Sequence, residues 1–309
     1  MTRVLITGAA GLVGQNLITL LAGETRYQIV AVDKHPANVE VLRRLHPEIE
    51  VIEADLAEPG EWEVAAASCE KAIILHAQIG GLDGDEFHRN NIVATERVLA
   101  ALKQGPCDYL VHASSSVVNS KAVDFYTETK KAQEKIVAES GFRHVVLRPT
   151  LMFGWFDRKH LGWLKRFMEK APVFPIPGSG KYLRQPLYGG DFSAICRASL
   201  EKEIEGTYDI SGLQKIDYID LIREVRAAAR LKTPIVKIPY WSFYSLLKTY
   251  AIFDSNPPFT VTQLKALVTP DVFDVIDWPG IFGVPATPLR EALEQTYHHP
   301  EYSHVFLEF

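Results

Sequence analysis

The 309-residue chain holds only three cysteines and three methionines. Cys69, Cys107 and Cys196 are odd in number and widely spaced. That excludes a disulfide framework and a zinc-ligand pattern, and it fits a reducing compartment. No apolar run reaches the roughly 18 residues of a membrane span. No basic stripe stands out and the net charge is −5, which argues against nucleic acid as the main partner. A phosphorylated small molecule needs only local cations and is not excluded. Internal repeats and Pro-rich or Ser-rich linkers are lacking. No basic–apolar–small segment precedes the first strand, so a cytoplasmic location is expected. His298, His299 and His304 lack a carboxylate spacing that points to metal, and His76 and His112 read as core histidines. What remains is 47% apolar and 23% charged residues, a globular composition long enough for one large unit or two domains.

The chain opens on Val4-Leu5-Ile6-Thr7-Gly8-Ala9-Ala10-Gly11-Leu12-Val13-Gly14. An apolar, β-branched run breaks into glycines, and a helical pattern follows through Leu17, Ile18, Leu20 and Leu21. A dinucleotide needs glycines at such a turn. One permits the bend, one lets backbone approach the pyrophosphate, and one lets helix and strand pack closely. The N–H groups at the helix start then face phosphate. The spacing is GxxGxxG rather than GxGxxG. Asp33 ends the next strand, 19 residues beyond Gly14, near the distance at which a carboxylate meets an adenosine ribose. It accepts from both hydroxyls and repels a 2′-phosphate, which favours NAD over NADP. Lys34, Arg43 and Arg44 are the nearby cations that would receive such a phosphate.

Further strands are expected at Glu50–Ala54, Ala72–Ala77, Tyr109–Ala113, His144–Leu147 and Thr207–Ser211. Helices are expected from Asp85 to Leu102 and from Tyr126 to Val137. Strands and helices alternate and the strands are continuous apolar runs, so the expected class is α/β, a Rossmann-like doubly wound parallel sheet. Ligands sit beyond the carboxyl ends of such strands, where the polar clusters of this chain fall. The expected division is a dinucleotide-binding domain at 1–150 and a smaller substrate-binding part at 151–309, with 189–200 returning to the sheet. Within the second part the pattern predicts an aromatic-rich helix over 155–171, a Pro/Gly loop over 173–180, an extended stretch over 184–191, helices over 192–200 and 218–229, and an apolar helix over 240–253 serving as core or dimer surface.

Tyr126 and Lys130 stand at i and i+4, on one face of a helix. A phenol titrates near 10 and a nearby positive charge favours its phenolate. Lowering that value by about three units requires roughly 4 kcal/mol of differential stabilisation, which a close ammonium together with a cofactor's positive nicotinamide ring would supply at low effective dielectric. The product is a general base for a hydroxyl proton, or in reverse a general acid for a carbonyl. The triple serine 114–116 lies just upstream. Together these residues describe oxidation of an alcohol by NAD, with Tyr126 taking the proton and Ser115 orienting the oxygen.

In combination, Gly8-x-x-Gly11-x-x-Gly14, Asp33, Asp55-Leu56, the Ser115 region, Tyr126-x-x-x-Lys130 and Arg148-Pro149-Thr150 resemble an extended short-chain dehydrogenase/reductase of the NAD-dependent epimerase/dehydratase family. The resemblance implies that Leu12 and Val13 lie against the pyrophosphate and Asp55-Leu56 against the adenine. It implies that Ala77 and Gln78 flank the ribose side, that Lys130 also holds the nicotinamide ribose, and that Pro149 and Thr150 meet the carboxamide. Ser115 fits the family's catalytic hydroxyl if Asn119 replaces its usual tyrosine, with Ser116 the rival by one position. Ten residues separate Ser115 from Tyr126, fewer than in most of the family's sugar epimerases and more like certain 4-keto-sugar reductases. Arg184-Gln185-Pro186 resembles the segment whose arginine binds the diphosphate of a nucleotide sugar. Leu151 departs from the family, standing where many such epimerases carry asparagine. The apolar stretch 240–253 is similar to the 3β-hydroxysteroid dehydrogenase branch.

The expected function is therefore an NAD-dependent epimerase or reductase/dehydrogenase acting on a nucleotide sugar. The alternatives are a dehydrogenase for a 3-hydroxysteroid or other apolar alcohol, and a non-catalytic dinucleotide-binding scaffold, which would have no need of Ser115, Tyr126 and Lys130. The resemblance also implies a homodimer through the helices at 85–102 and 126–137.

Overall fold

The computed structural model describes residues 1–120, 123–157, 159–253, 261–269 and 272–308. Its first half alternates strand and helix: β1 (Thr2–Thr7), α1 (Leu12–Leu21), β2 (Tyr27–Asp33), α2 (Pro36–Leu45), β3 (Glu50–Glu53), α3 (Trp62–Ala67) and β4 (Lys71–Ile74). There follow α4 (Gly84–Phe87), a π-helical turn (His88–Val93), α5 (Ala94–Leu102), β5 (Tyr109–Ala113), α6 (Phe125–Ala138) and β6 (Arg143–Pro149). The second half holds β7 (Met152–Phe153), α7 (Leu161–Lys170), β8 (Phe174–Pro177), β9 (Leu183–Arg184), β10 (Leu187–Tyr188), α8 (Gly189–Lys202) and β11 (Gly206–Ile210). It closes with β12 (Ile216–Asp217), α9 (Tyr218–Ala228), β13 (Ile235–Ile238), α10 (Tyr240–Phe253), α11 (Val261–Val268), α12 (Trp278–Phe282) and α13 (Leu289–His298).

Seven strands form one parallel sheet in the order β11-β6-β5-β4-β1-β2-β3. The order reverses at β1, which puts a crevice beyond the carboxyl ends of β1 and β4. Both faces of the sheet are covered, as its unbroken apolar strands require. On one face Val4, Ile6 and Val111 pack with Leu17 and Ile18 of α1 and with Phe192, Ile195 and Cys196 of α8. On the other, Leu5, Val30, Ile74 and Leu110 pack with Trp62, Val98, Leu102 and Val137. A separate cluster joins α7, α9 and α13 through Met168, Ile222, Val225 and Leu293. The three thiols are unpaired, and burial pushes Cys69 and Cys107 up to about 11 and about 12, so they behave as small apolar groups.

The structure corrects several expected bounds. The helix foreseen over 155–171 starts only at Leu161. The one foreseen over 85–102 is interrupted by a π-helical turn at His88–Val93. The Pro/Gly stretch foreseen as a loop contains β8, which pairs in parallel with β13. Prolines survive there because neighbouring N–H groups of a strand point to opposite edges. Phe174 and Gly178 donate toward the β13 segment, to Pro234 O and Ile238 O at 2.7 Å each, while Pro175 and Pro177 carry no N–H on which the pairing depends.

The glycine turn is tight enough to forbid larger side chains at two positions. Gly8 has φ +64°, and a Cβ there would lie 2.7 Å from the His76 backbone nitrogen. A Cβ on Gly14 would lie 2.4 Å from Ala9 O. At Gly11 the nearest atom, Gly8 O, would be 3.4 Å away. Gly14→Ala is therefore expected to destabilise the fold by about 2 kcal/mol or more, while Gly11→Ala stays within about 1 kcal/mol of the parent. Thermal unfolding of both variants checks this, and equal melting temperatures would contradict the packing argument.

Candidate active site

Asp33 ends β2 and holds the glycine turn in place. Its Oδ2 accepts from Ala10 N at 2.9 Å and its Oδ1 from His35 N at 3.0 Å. One carboxylate thus joins the turn after β1 to the end of β2, beside the start of α1. No side chain caps α1, so its first N–H groups are suited to an anion. Asp55 accepts from Arg89 at 2.7 Å and from Ala57 N at 2.9 Å. Burial raises its carboxyl, and the bonds from Ala57 and Arg89 together with Lys34 outweigh that and leave it lowered. The Leu56 side chain is buried in the core with Val30, Val32 and Trp62. Two of the three candidate phosphate-receiving cations, Lys34 and Arg43, have carboxylate or amide partners. Lys34 donates to Asn90 at 2.7 Å and lies 3.8 Å from Asp55, and Arg43 lies 3.9 Å from Glu53.

After β4 the chain is fixed by Asn91, carried on the π-helical turn. Asn91 Oδ1 accepts from Gln78 N at 2.6 Å, and Asn91 Nδ2 donates to Gln78 O at 3.2 Å and Thr129 Oγ1 at 2.9 Å. One side chain therefore ties Ala77-Gln78 to α6. Such irregular turns recur at functional sites. At the end of β6, Thr150 N donates to Ile210 O at 2.9 Å, and its buried hydroxyl has no partner. That hydroxyl, the small Gly11 and the uncapped α1 fit a dinucleotide laid across the strand ends.

Helix α6 begins at a capped turn. Asp124 Oδ1 accepts from Thr127 N at 2.8 Å. Arg148 grips the same helix with a two-point fork on Glu134, at 2.8 and 2.6 Å, half-buried beside the end of β6. These contacts fix the rotation of α6 and therefore the direction of Tyr126 and Lys130. The hydroxyl of Ser115 lies beside Tyr126 and favours its phenolate, and it caps the short 3₁₀ turn Ser116–Asn119. Ser115 and Tyr126 thus meet, and Ser116 is the first residue of that turn. Asn119 is turned toward Arg148 and Asp209, at 3.4 and 3.0 Å.

Lys130 is not among the groups that shift this phenol; the expected acidification joins its charge to that of the cofactor's nicotinamide ring. Burial pushes Tyr126 up from 10, the bond from Ser115 pulls it down, Asp124 pushes it up again, and the net effect is a raised value. Lys130 is 1% exposed, and its Nζ donates to Ala113 O at 2.9 Å and to Gln133 Oε1 at 2.8 Å. Burial drives its ammonium down to about 7 against the pull of Glu134. Arg184 is likewise engaged, donating to the carbonyls of Leu183 and Thr269, at 2.8 and 2.9 Å, and to that of Leu267.

Exposed apolar side chains include Ile79 and Leu82 on the β4–α4 connection, Val123 and Phe125 ahead of Tyr126, and Leu151 after β6. The rings of Phe125 and Phe87 lie 5.9 Å apart, bringing α4 and the start of α6 together. A recess of about 170 Å³ bordered by Tyr188, Asp191, Trp278 and Thr287 lies elsewhere, with none of Ser115, Tyr126 or Lys130 on its wall.

A model of the NAD dependent epimerase/dehydratase family matches residues 4–211, and the chain belongs to that NAD-dependent family. The 3 beta-hydroxysteroid dehydrogenase/Delta 5-->4-isomerase of Mycobacterium tuberculosis is 24% identical over 273 residues, covering 76% of this chain and 72% of that protein. The 2-alkyl-3-oxoalkanoate reductase of Stenotrophomonas maltophilia is 27% identical, covering 95% and 98%. In fold the chain is similar to UDP-glucuronic acid 4-epimerase from Bacillus cereus in complex with NAD, with TM-score 0.69, 21% identity and coverage of 95% and 97%. The chain is accordingly an NAD-dependent enzyme of the extended short-chain dehydrogenase/reductase type.

Glycines, Asp33 and the Tyr–Lys spacing are legible in sequence. Asn91, Gln133 and Glu134 are not, because a polar residue in a helix carries no local sign of a partner on another element. A lysine held near 7 in the fold and near 10.4 when unfolded makes stability rise with pH across that window. The unfolded chain binds the extra proton between those values. Relative to Lys130→Met, which removes this dependence, the wild type is expected to gain on the order of 4 kcal/mol between pH 7 and pH 10. Urea unfolding of both proteins at several pH values measures it, and parallel curves would contradict a buried, depressed ammonium.

Proposed function

We propose that the chain catalyses reversible NAD-linked oxidation of a secondary alcohol, or reduction of the matching ketone, on an apolar substrate. The Ser115 hydroxyl beside Tyr126, at the carboxyl end of the sheet, carries the reaction class. Bound NAD supplies the two-electron hydride acceptor. In the oxidation, the carbinol carbon gives up a hydride, its oxygen gives up a proton, and a ketone remains. Ser115 orients that oxygen and Tyr126 takes the proton; in reverse Tyr126 returns it to the carbonyl. The glycine turn and the start of α1, with Leu12 and Val13, hold the pyrophosphate, Asp33 takes the adenosine ribose, and Asp55 borders the adenine. Ala77, Gln78, Pro149 and Thr150 line the nicotinamide side. Lys130, one turn along α6 from Tyr126, supplies positive charge on the same face of the helix.

The exposed apolar residues Ile79, Leu82, Val123, Phe125 and Leu151, on the segments that follow β4, precede α6 and follow β6, support the substrate class. The relatives of matching sequence include a hydroxysteroid dehydrogenase and an oxoalkanoate reductase. A nucleotide sugar is the second reading, favoured by the epimerase of similar fold and by Arg184. Against it, Arg184 already donates to three backbone carbonyls, so diphosphate would have to displace them.

Purified protein with NAD is expected to accumulate NADH when given 3-hydroxysteroids or long-chain 3-hydroxyalkanoates, and to leave UDP-, GDP- and dTDP-sugars unchanged. Tyr126→Phe should lower turnover by about 10²-fold or more while leaving NAD affinity within a few-fold. Epimerised sugar without net NADH would overturn the apolar reading, and undiminished turnover by Tyr126→Phe would overturn the catalytic one.

A further inference from the structure

Lys130 ends a chain of polar side chains that crosses four elements beneath the site. Its Nζ donates to Gln133 Oε1 at 2.8 Å, and Gln133 Nε2 donates to Thr95 Oγ1 at 2.8 Å. Thr95 Oγ1 also lies 3.0 Å from His76 Nε2 and donates to Asn91 O at 2.6 Å. His76 Nδ1 lies 2.8 Å from Thr7 Oγ1, at the end of β1. Gln133, Thr95 and Thr7 have no exposed surface.

The two ends of this chain set every proton within it. The Thr95 hydroxyl has one proton and gives it to Asn91 O, because a carbonyl only accepts. It must then accept from both His76 Nε2–H and the Gln133 amide. His76 Nδ1, left without a proton, accepts from Thr7. An ammonium only donates, so the Gln133 carbonyl faces Lys130 and its NH₂ faces Thr95. Flipping the amide would set donor against donor at Lys130.

We propose that Gln133 is a positioning residue, which holds the Lys130 ammonium at the end of β5, with Thr95 and His76 locking the amide so that only its carbonyl can meet the lysine. This rests on the reading of Lys130 as the partner of Tyr126. Besides Gln133, the groups that face the lysine charge are Glu134 on its own helix, His112 on β5 and His76 after β4. Desolvation and the lysine keep both imidazoles neutral, so within the chain only Lys130 carries a charge. A carbonyl acceptor favours that charged form. Gln133→Leu removes the acceptor and Gln133→Glu replaces it with a full negative charge.

The test is ¹³C NMR of protein labelled at lysine Cε, titrated from pH 5 to pH 11, with Lys130 assigned by its absence in Lys130→Met. Lys130 is expected to titrate about one pH unit lower in Gln133→Leu and about one unit higher in Gln133→Glu. Calorimetry with NAD⁺ at pH 8 is expected to show several-fold weaker binding to Gln133→Leu than to the parent. Should Gln133→Leu not fold, Gln133→Asn withdraws the carbonyl by one methylene and gives the same downward shift. An unchanged Lys130 titration in the folded variants overturns the proposal. If the titration moves in both directions while NAD⁺ binds none of the proteins, the positioning role stands and the oxidoreductase reading fails.

Discussion

One buried ammonium organises the carboxyl edge of this sheet. Lys130 is almost fully removed from water and must be met by acceptors, because an isolated ion in an apolar interior is among the costliest groups a fold can hold. Ala113 O and Gln133 Oε1 meet it, at 2.9 and 2.8 Å. Meeting it draws in β5, α6, α5 and, through Thr95 and His76, the ends of β4 and β1. The same atoms that satisfy the charge hold together the strands whose ends form the site.

Other ties work toward the same end. The Arg148–Glu134 fork fixes α6 against β6. Asp33 fixes the glycine turn against β2 through Ala10 N. Asn91 fixes the chain after β4 against α6. Each contact joins two neighbouring strand–helix units near their carboxyl ends.

The sheet was legible in sequence because a buried parallel strand is a continuous apolar run and each one here ends in glycine or polar residues. The glycine turn was legible because sterics at Gly8 and Gly14 admit no other residue. The segment 173–180 misled because prolines read as a loop, and only the pairing partner at 235–238 shows which edge they occupy. The lysine was readable as a neighbour of Tyr126 by helical spacing, but its acceptors were not. Gln133 to Thr95 spans 38 residues and Thr7 to His76 spans 69, distances at which no periodicity links two positions. The spacing suggests a phenol made acidic by its neighbour, whereas burial and Asp124 leave that phenol raised.

The account holds that this phenol stays protonated until positive charge from the bound cofactor reaches it. Titrating ¹³Cζ-labelled tyrosine by NMR, with and without NAD⁺ and with Tyr126→Phe for assignment, measures that directly. The expected result is a Tyr126 signal that titrates above pH 10 in the free protein and moves down by at least one unit when NAD⁺ is bound. A Tyr126 that titrates at the same pH in both states, or one already ionised near neutral pH without NAD⁺, would contradict it.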